Sequence, residues 1–428
     1  MATLIRNIGQ IVGIVPEGVL KKEGREMSET GTLDNAWILV EDGKIASFGS
    51  MRDCPAPECE TIDAGGGLVL PAFCDSHTHI VYAGSREQEF LDKIEGKSYA
   101  EIAANGGGIL NSADLLHNTD EDELFRQAME RVNEMISFGT GAIEIKSGYG
   151  LTAEDELKIL RVIRRIRMSS PAIIRATFLG AHAVGRDFSG RQSDYVDYVC
   201  REMIPAVCAD RSGSGGCGDN TGDGLPHLAD FIDVFCEKGF FTPEETDRIL
   251  SEGERFGMGV KLHANQLAVS GGVQVGVRHN ALSVDHLEST SDEEIRVLKE
   301  HRRTMPTMLP GASFFLRMQY GKASDFIRSG LGLALASDYN PGSSPCGDMR
   351  FIMALGCINM GLTPVQAFNA CTLNSAYAMG ISGTAGSVTP GKLANLIITK
   401  PLPSFNWIPY CHRSPYISKV LLRGKQVI

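Results

Sequence analysis

Short apolar segments alternate with well-marked helix starts through the middle of the chain, and this alternation limits the fold more than any other feature. Eight segments can be read in order: the run that ends at His77, then GAIEIKSGYG, AIIRATFLGAH, FIDVFCE, GVKLHAN, ALSVDHLE, TMPTML and GLALASD. Continuous apolar runs of this length are typical of strands covered on both faces, as in a parallel sheet wrapped by helices. Eight of them predict a (β/α)8 TIM-type barrel over residues 67–380.

Helix N-termini are legible between these segments. Residues 242–245 read Thr-Pro-Glu-Glu, which supplies an N-cap, a proline at the first helical position and a capping-box glutamate. Ser291 with Glu294 and Thr363 with Gln366 repeat the pattern. A doubly wound open sheet is the alternative fold, but no glycine-rich phosphate loop follows the first strand, which favours the barrel.

Both ends of the chain are predicted to form strands. WILVEDGKIASFG places two β-rich runs around Asp42-Gly43, which is a two-residue hairpin signal. Near the other end, LANLIITK and YISKVLLRGKQVI are again β-branched runs separated by turn residues. Because chain termini often lie close together, we expect residues 1–66 and 381–428 to form one small β-sandwich-like domain.

Charge and cysteine usage narrow the class of ligand. The 52 Asp and Glu residues outnumber the 41 Lys and Arg residues, and the net charge of −11 comes without a basic stripe, which argues against nucleic acid or an anionic membrane as a partner. No apolar run approaches the roughly 18 residues of a membrane span, and no secretion signal is recognisable. The 11 cysteines are scattered without a CxxC pair, as in a reduced cytosolic protein. We therefore expect a cytoplasmic protein that acts on a small molecule.

The carboxyl-terminal ends of the predicted strands carry side chains suited to metal binding and proton transfer. Barrel enzymes keep their active sites at this end. In chain order these residues are His77, His79, Tyr149, His182, His263, His286 and Asp338. A single histidine at such a position is more often a hydrogen-bonded structural residue than a ligand. Their joint occurrence at one end of the barrel instead predicts a functional site.

A metal centre is the most specific part of this prediction. His77 and His79 point to the same side of a strand, because side chains alternate with period two. With His263 and Asp338 they form the ligand set that we predict for one divalent ion, with one position left for water. Such an ion lowers the pKa of bound water toward about 7. We assign proton transfer to Asp338 as the general base, with His286 sharing the water.

A second metal would need a bridging ligand such as a carbamylated lysine. The strand that we count as the fourth ends in Gly180-Ala181-His182, without a lysine at its tip. Lys146 lies on the preceding strand, and we expect it to pair with a nearby carboxylate. The sequence therefore favours a single metal.

Three further motifs narrow the function: HTHIVYAGSREQEF, IEIKSGYGL and SDYNPGSSP. Together with PAFCDSHTH, His263, His286 and the late Ala-Ser-Asp, they resemble the imidazolonepropionase family of the metal-dependent amidohydrolase superfamily, and the resemblance covers the whole chain. It implies hydrolysis of the ring C–N bond of 4-imidazolone-5-propanoate to N-formimidoyl-L-glutamate in histidine degradation, with zinc or iron as the metal. A homodimer is also implied.

The same resemblance implies roles for residues of the pocket. Arg86 would hold the substrate carboxylate, for which a planar guanidinium group is well suited. Tyr99 and Tyr149 would line the pocket, and His182 would contact the ring. The glutamate end of the product would be bound by Asn340, Gly342 and Ser343. The segment NPGSSP is also a turn-forming sequence, and a turn at the barrel mouth can serve both roles.

One position departs from the family pattern. Gln266 lies three residues after His263, at a position where members of this family can carry glutamate. Because a neutral amide cannot serve as a general base, we expect Gln266 to hydrogen-bond the substrate amide and leave proton transfer to Asp338 and His286.

Three questions stay open at this point. Another amidohydrolase, such as a heterocyclic-base deaminase, would share the metal ligands without needing Arg86, and a non-catalytic scaffold on the same barrel is a more distant alternative. The choice between zinc and iron is also open. Finally, the glycine-rich segment from Asp210 to Gly224 reads as a mobile surface insertion between the fourth and fifth strands, without an assigned role.

Overall fold

The computed structural model describes residues 2–97, 107–210 and 227–428. Two features discussed above therefore lie outside the described residues: Tyr99, and the glycine-rich segment apart from its first residue, Asp210. The predictions made for them stay predictions.

The described strands divide between two sheets. The first sheet combines both chain ends and contains β1 Ala2–Ile14, β2 Gly31–Glu41, β3 Lys44–Ser50, β4 Glu60–Asp63, β5 Leu68–Pro71, β14 Leu396–Thr399, β15 Ile417–Leu422 and β16 Lys425–Gln426. The second contains β6 Phe73–Thr78, β7 Thr140–Lys146, β8 Ile173–Ala181, β9 Phe231–Cys236, β10 Gly259–Ala264, β11 Ser283–His286, β12 Met305–Met308 and β13 Ala334–Leu335.

The second sheet is the predicted barrel. Its strands are parallel and follow one another in chain order, and each of the eight apolar segments supplies one of them. The strand that leads to His182 is the third of the barrel and not the fourth, so the glycine-rich segment falls between the third and fourth strands. The numbering in our sequence prediction was wrong by one strand, although the segments themselves were identified correctly.

The barrel closes through the residues that follow β13. The backbone N–H of Asp338 donates to the carbonyl oxygen of His77 at 3.0 Å, and the N–H of His79 donates to the carbonyl oxygen of Tyr339 at 2.9 Å. The histidine pair and Asp338 are thereby held side by side at the carboxyl-terminal edge of the barrel.

The first sheet joins both ends of the chain, as predicted. β14 pairs with β5, and β5 pairs with β1, so that all its strands hydrogen-bond as a single sheet. The apolar run before His77 is divided between the two sheets: the N–H of Ala72 donates to Asn395 O, but that of Phe73 donates to Gly139 O. The strand Leu68–Pro71, which the prediction included in residues 67–380, thus pairs within the end sheet.

The hairpin predicted at Asp42-Gly43 is confirmed. Glu41 pairs with Lys44 across the turn between β2 and β3. Asp42 and Gly43 have φ angles of 49° and 77°, which a two-residue turn between right-twisted strands requires and which aspartate and glycine tolerate well.

Helices cover the barrel and connect its strands. All three predicted capping boxes are formed, with Thr242, Ser291 and Thr363 as the N-caps. None of the described helices is long and apolar enough to cross a membrane. The α-helices in the described residues are Glu87–Ile94, Ile109–His117, Glu121–Ser137, Ala153–Ser169, Gln192–Tyr198, Ile204–Ala209, Pro243–Arg255, Gly272–Arg278, Asp292–Glu300, Pro310–Leu316, Ala323–Arg328, Met349–Met360, Pro364–Cys371, Leu373–Ala378 and Trp407–Tyr410.

Candidate metal centre and substrate pocket

His77, His79 and His263 come together at the carboxyl-terminal edge of the barrel. Their ligand nitrogens all lie within 4.8 Å of one another, and the three side chains are buried. His77 Nε2 and His79 Nε2 are 3.3 Å apart. Two nitrogens that bind one tetrahedral zinc ion at ordinary distances stand about 3.4 Å apart, so the spacing fits a shared ion. Burial lowers the pKa of all three histidines, which keeps the rings neutral, as metal ligands must be.

Two aspartates orient His77 and His263. Asp285 Oδ2 accepts a hydrogen bond from Nδ1 of His77 at 2.7 Å, and Asp233 Oδ2 accepts one from Nδ1 of His263 at 2.8 Å. A ring that donates from Nδ1 keeps the lone pair of Nε2 for a metal ion. Although burial alone would raise it, the pKa of Asp233 is held well below its usual range by His263 and Lys146. The donor set therefore fits a divalent metal.

Asp338 lies beside the three histidines. Its Oδ1 is 3.7 Å from Nε2 of both His77 and His79, and its Oδ2 accepts a hydrogen bond from the hydroxyl of Ser343 at 3.2 Å. The φ angle of Asp338 is 54°, in the left-handed region that few non-glycine residues adopt. Burial raises its pKa to about 6, and His286 opposes the shift. The Asp338 carboxylate thus lies close to two of the three histidine side chains and lines the same cavity as His79 and His263.

Asp75, in the same motif as the histidine pair, holds the adjacent residues after β13 in position. Its Oδ1 accepts a hydrogen bond from the backbone N–H of Ser337 at 3.0 Å, and its Oδ2 accepts one from the Ser337 hydroxyl. Ser337 directly precedes Asp338, so this contact fixes where the Asp338 carboxylate can lie.

His286 faces the same cavity from the end of β11. Its Nδ1 is 3.3 Å from Oε1 of Glu288, and its φ angle is 89°, an unusual backbone conformation of the kind that concentrates at functional sites. Burial lowers the pKa of His286, but the carboxylates of Glu288, Asp338 and Asp285 together more than offset this, and the net shift is upward. His286 and Asp338 line the same cavity, and each charge favours the ionised form of the other.

A cavity of about 450 Å³ opens above the histidines. Its lining includes seven of the eight residues predicted to bind substrate, namely Arg86, Tyr149, His182, Gln266, Asn340, Gly342 and Ser343. It also includes six residues that the sequence analysis did not predict: Lys93, Ile109, Phe235, Phe240, Leu267 and Leu316. The structure thus brings the predicted metal ligands and the predicted substrate residues to one place, except for Tyr99, which lies outside the described residues.

Arg86 is fixed in position at the rim of this cavity. Glu89 accepts hydrogen bonds from its Nε at 2.8 Å and from its Nη2 at 2.6 Å. Gly342 packs so closely on the guanidinium that a Cβ atom there would lie 2.1 Å from Nη1. Lys93, one helical turn beyond Glu89, donates to the carbonyl oxygen of Gly342 at 3.3 Å. Arg86, Lys93 and the paired Glu89 leave a net positive charge at this end of the cavity, which favours a ligand with a negatively charged group.

Comparison with known proteins identifies the family. Residues 241–427 match the model of the Amidohydrolase family. An imidazolonepropionase from Flavobacterium johnsoniae is 49% identical to this chain, over 99% of this chain and 100% of its own length. One from Clostridium tetani is 36% identical over 95% of this chain and 93% of its own length. The chain belongs to the imidazolonepropionase family.

Solved structures of other enzymes share the fold. A guanine deaminase from E. coli superposes with a TM-score of 0.74 at 12% identity, covering 100% of this chain and 99% of its own. A triazine hydrolase variant gives a TM-score of 0.75 at 14% identity, covering 100% of this chain and 94% of its own. At such low identity the likeness concerns the fold, a barrel with an added sheet, and not the substrate.

In this imidazolonepropionase family member, the KSGYG motif shapes one wall of the cavity. Gly148 has a φ angle of 106°, which strongly favours glycine, and its carbonyl oxygen accepts a hydrogen bond from Nδ1 of His182 at 2.9 Å. The His182 ring stacks on His79, with 5.3 Å between ring centroids, and Tyr149 lies 5.5 Å from His182. Burial lowers the pKa of His182 to about 3, so its ring is neutral and Nε2 is a hydrogen-bond acceptor.

The segment NPGSS forms a tight turn at the cavity mouth. Asn340 Oδ1 accepts hydrogen bonds from the backbone N–H groups of Gly342 and Ser343, both at 2.8 Å. Its Nδ2 donates to the carbonyl oxygen of Asp338 at 2.6 Å and to the Ser343 hydroxyl at 2.7 Å. The turn-forming role that the sequence left open is thus realised, and these three residues also line the cavity.

Gln266 lies in the lining of the cavity, and Lys146 lies among buried carboxylates. Gln266 is half-buried in the cavity lining, and within the described residues its amide makes no hydrogen bond to the protein. Lys146 lies below the centre and pairs with carboxylates, as predicted, donating to Glu144 Oε1 at 2.7 Å and to Asp233 Oδ2 at 2.9 Å.

Proposed function

We propose that this protein hydrolyses the ring C–N bond of 4-imidazolone-5-propanoate to N-formimidoyl-L-glutamate in histidine degradation. The observation that carries the proposal is a single cavity that joins a three-histidine centre to an arginine fixed at its rim. In the reaction, the oxygen of water bonds to the ring carbonyl carbon, the C–N bond breaks and the ring nitrogen gains a proton. Relatives named imidazolonepropionase, similar over the full length of the chain, support this choice.

One divalent metal ion, Zn²⁺ or iron, would be held by His77, His79, His263 and Asp338. When bound, such an ion lowers the pKa of water toward about 7 and polarises a carbonyl group. A single ion is favoured because the ammonium group of Lys146, which could otherwise be considered as a bridging ligand, is engaged by buried carboxylates.

Asp338 and His286 would act together in the reaction. The Asp338 carboxylate, close to the histidine nitrogens, takes a proton from the attacking water and returns it to the ring nitrogen as the C–N bond breaks. His286, paired with Glu288, donates a hydrogen bond to the carbonyl oxygen as that oxygen gains negative charge.

The remaining lining residues would bind and orient the substrate. Arg86 holds its carboxylate, and Tyr149 packs against the ring with Tyr99 as a further wall. His182 accepts a hydrogen bond from a ring N–H through Nε2, because its Nδ1 is already used by Gly148. Gln266 contacts the ring amide, and the glutamate end of the product is bound by Asn340, Gly342 and Ser343.

The proposal is tested by following the ultraviolet absorbance of enzymatically generated 4-imidazolone-5-propanoate after adding purified protein. A parallel sample is treated with a chelator, and the metal content of both is measured. Decay that chelation abolishes, and that one equivalent of zinc or iron restores, is the expected result. Metal without decay would contradict this substrate and turn attention to heterocyclic-base deamination, whereas protein without metal would favour a non-catalytic scaffold.

We also propose a cytoplasmic location and a homodimeric state, with a small-molecule substrate and no nucleic-acid partner. All ten cysteines in the described part of the chain are free, as a reducing compartment would keep them. The acidic net charge of −11 supports the absence of a nucleic-acid partner. The homodimer is suggested by the family resemblance and is checked by the molar mass in solution.

A further inference from the structure

Five charged side chains form a network inside the barrel, directly below the metal centre. They come from four different strands, and each is at most 1% exposed: Glu144, Lys146, Asp233, Lys261 and Asp285. Charges are rarely buried this completely unless they are paired, because removal from water is costly. The pairing here is extensive, and two members of the network also bind the histidines of the centre.

Lys146 contacts the aspartate that orients His263. Its Nζ donates to Asp233 Oδ2 at 2.9 Å, and the same oxygen accepts the hydrogen bond from Nδ1 of His263. The other carboxylate oxygen, Oδ1, accepts from the backbone N–H of His263 at 2.9 Å. Lys146 is therefore the partner that ties the Asp233 carboxylate to a residue other than His263.

Lys261 is equally buried but has different partners. It donates to the carbonyl oxygen of Ser76 at 2.8 Å and to Glu144 Oε2, and no ion pair joins it to Asp233 within the described residues. Both lysines lie at a similar distance from Asp285 Oδ2, 3.7 Å for Lys146 and 3.8 Å for Lys261. In the described part of the chain, Asp233 is contacted by Lys146 and not by Lys261, which bonds to the Ser76 carbonyl oxygen instead.

We propose that Lys146 is a positioning residue for the metal centre, which holds His263 in its metal-binding orientation through Asp233. The inference rests on the proposed metal site but not on the identity of the substrate. Without the ammonium group, both oxygens of Asp233 are held by His263 alone, so the carboxylate has lost the partner that ties it to a neighbouring strand. The hydrogen bond from Nδ1 of His263 then no longer fixes the direction of its Nε2.

The test compares Lys146→Met with Lys261→Met, because each variant removes one buried ammonium group and keeps the side-chain length. Zinc affinity is measured on metal-free protein by competition with a chromophoric chelator. Loss of a partner outside the ligand shell lowers metal affinity by about 10- to 100-fold, and we expect this loss for Lys146→Met. For Lys261→Met we expect a loss of less than about tenfold. Equal losses in the two variants, or unchanged affinity in Lys146→Met, would overturn the proposal.

A second measurement separates positioning from general loss of stability. In metal-free protein, the proton on Nδ1 of His263 should be visible by ¹H–¹⁵N NMR, since a buried hydrogen bond protects it. The signal should persist in wild type and Lys261→Met and be lost or clearly shifted in Lys146→Met. This difference should remain even if the two variants have the same lowered unfolding temperature. An unchanged signal in Lys146→Met would contradict the proposal.

Two further controls keep the outcomes distinct. If Lys146→Met does not fold, Lys146→Gln and Lys261→Gln, which keep an N–H donor without the charge, are compared in the same two measurements. Neither measurement uses the substrate, so a wild-type protein that binds zinc without hydrolysing 4-imidazolone-5-propanoate would contradict the proposed reaction and leave the role of Lys146 supported. A wild-type protein that binds no zinc would contradict both.

Discussion

Gly342 leaves the space that the guanidinium group of Arg86 occupies. A Cβ atom at this position would lie 2.1 Å from Nη1 and 2.5 Å from Cζ of Arg86. Gly342→Ala must therefore displace either the guanidinium group or the backbone of the turn. Because a hydrogen bond to a charged group contributes roughly 1.5–3 kcal/mol, we expect the KM for 4-imidazolone-5-propanoate to rise about tenfold or more. The kcat should change much less, since Arg86 is assigned to substrate binding and not to proton transfer. Steady-state kinetics on the purified variant checks this.

Gly383 provides the matched control for that substitution. A Cβ atom added at Gly383 meets no atom within 4 Å, and its φ angle lies outside the region that disfavours other residues. Gly383→Ala should therefore keep the wild-type KM and kcat. A wild-type KM in Gly342→Ala would show that Arg86 does not hold the substrate carboxylate.

Gln266 and Asp338 are predicted to have separable effects on the reaction. Gln266 is neutral and lines the cavity without a hydrogen bond to the described part of the protein, so Gln266→Ala should raise KM and preserve most of kcat. Asp338→Asn removes the group assigned to proton transfer and should lower kcat severely, by about 100-fold or more. Full kcat in Asp338→Asn would exclude it as the general base, and a large loss of kcat in Gln266→Ala would give the amide a role in the chemical step.

At the scale of residues, the histidines could be predicted from the sequence and their partners could not. His77, His79 and His263 follow from the two-residue period of strands and the common end of parallel strands. Asp233 and Asp285 stand inside apolar strands, and which histidine each contacts depends on the register between neighbouring strands. A single acidic residue in a buried strand does indicate that a polar partner exists, but it does not indicate which residue that partner is.

At the scale of elements, Asp75 ties the first barrel strand, β6, to the residues after the last, β13. Its carboxylate accepts from two donors of Ser337, and Asp75→Asn would replace one acceptor oxygen with an N–H donor. Leaving a buried donor unsatisfied costs about 1–3 kcal/mol, so we expect the free energy of unfolding to fall by about that amount. Denaturant unfolding of the metal-free protein measures it.

An exposed aspartate supplies the comparison. Asp53→Asn changes the same chemical group on the surface, and the free energy of unfolding should stay within about 0.5 kcal/mol of wild type. Equal free energies of unfolding for wild type, Asp75→Asn and Asp53→Asn would mean that the contact between Asp75 and Ser337 does not stabilise barrel closure.

The sequence did not predict that one apolar run would be divided between two sheets. Residues 68–78 read as continuous, because the run gives no sign of where its hydrogen-bond partners change. The change occurs between Ala72 and Phe73, whose N–H groups donate to Asn395 and Gly139 respectively. Both partners are distant in sequence, so only the assembled fold reveals the boundary.

At the scale of the whole molecule, the architecture was the most predictable property. The alternation of apolar segments and capped helices repeats eight times, so an error at one element does not change the barrel. The pairing of the chain ends also followed from composition, since β-rich runs at both termini need partners. What the sequence could not supply was the set of buried charges that links the barrel interior to the metal centre.

The metal centre should also stabilise the whole molecule, because its ligands come from strands at different positions around the barrel. An ion that binds only the folded chain adds about 2.7 kcal/mol of stability at 100 times its dissociation constant. We therefore expect chelation to lower the unfolding temperature of wild type in a calorimetric scan, and added zinc to restore it. His263→Ala should unfold at nearly the same temperature with and without zinc. His279→Ala, which alters a histidine paired with Asp247 and Glu254, should keep the wild-type response. A zinc-dependent shift of wild-type size in His263→Ala would mean that the stabilising ion binds elsewhere.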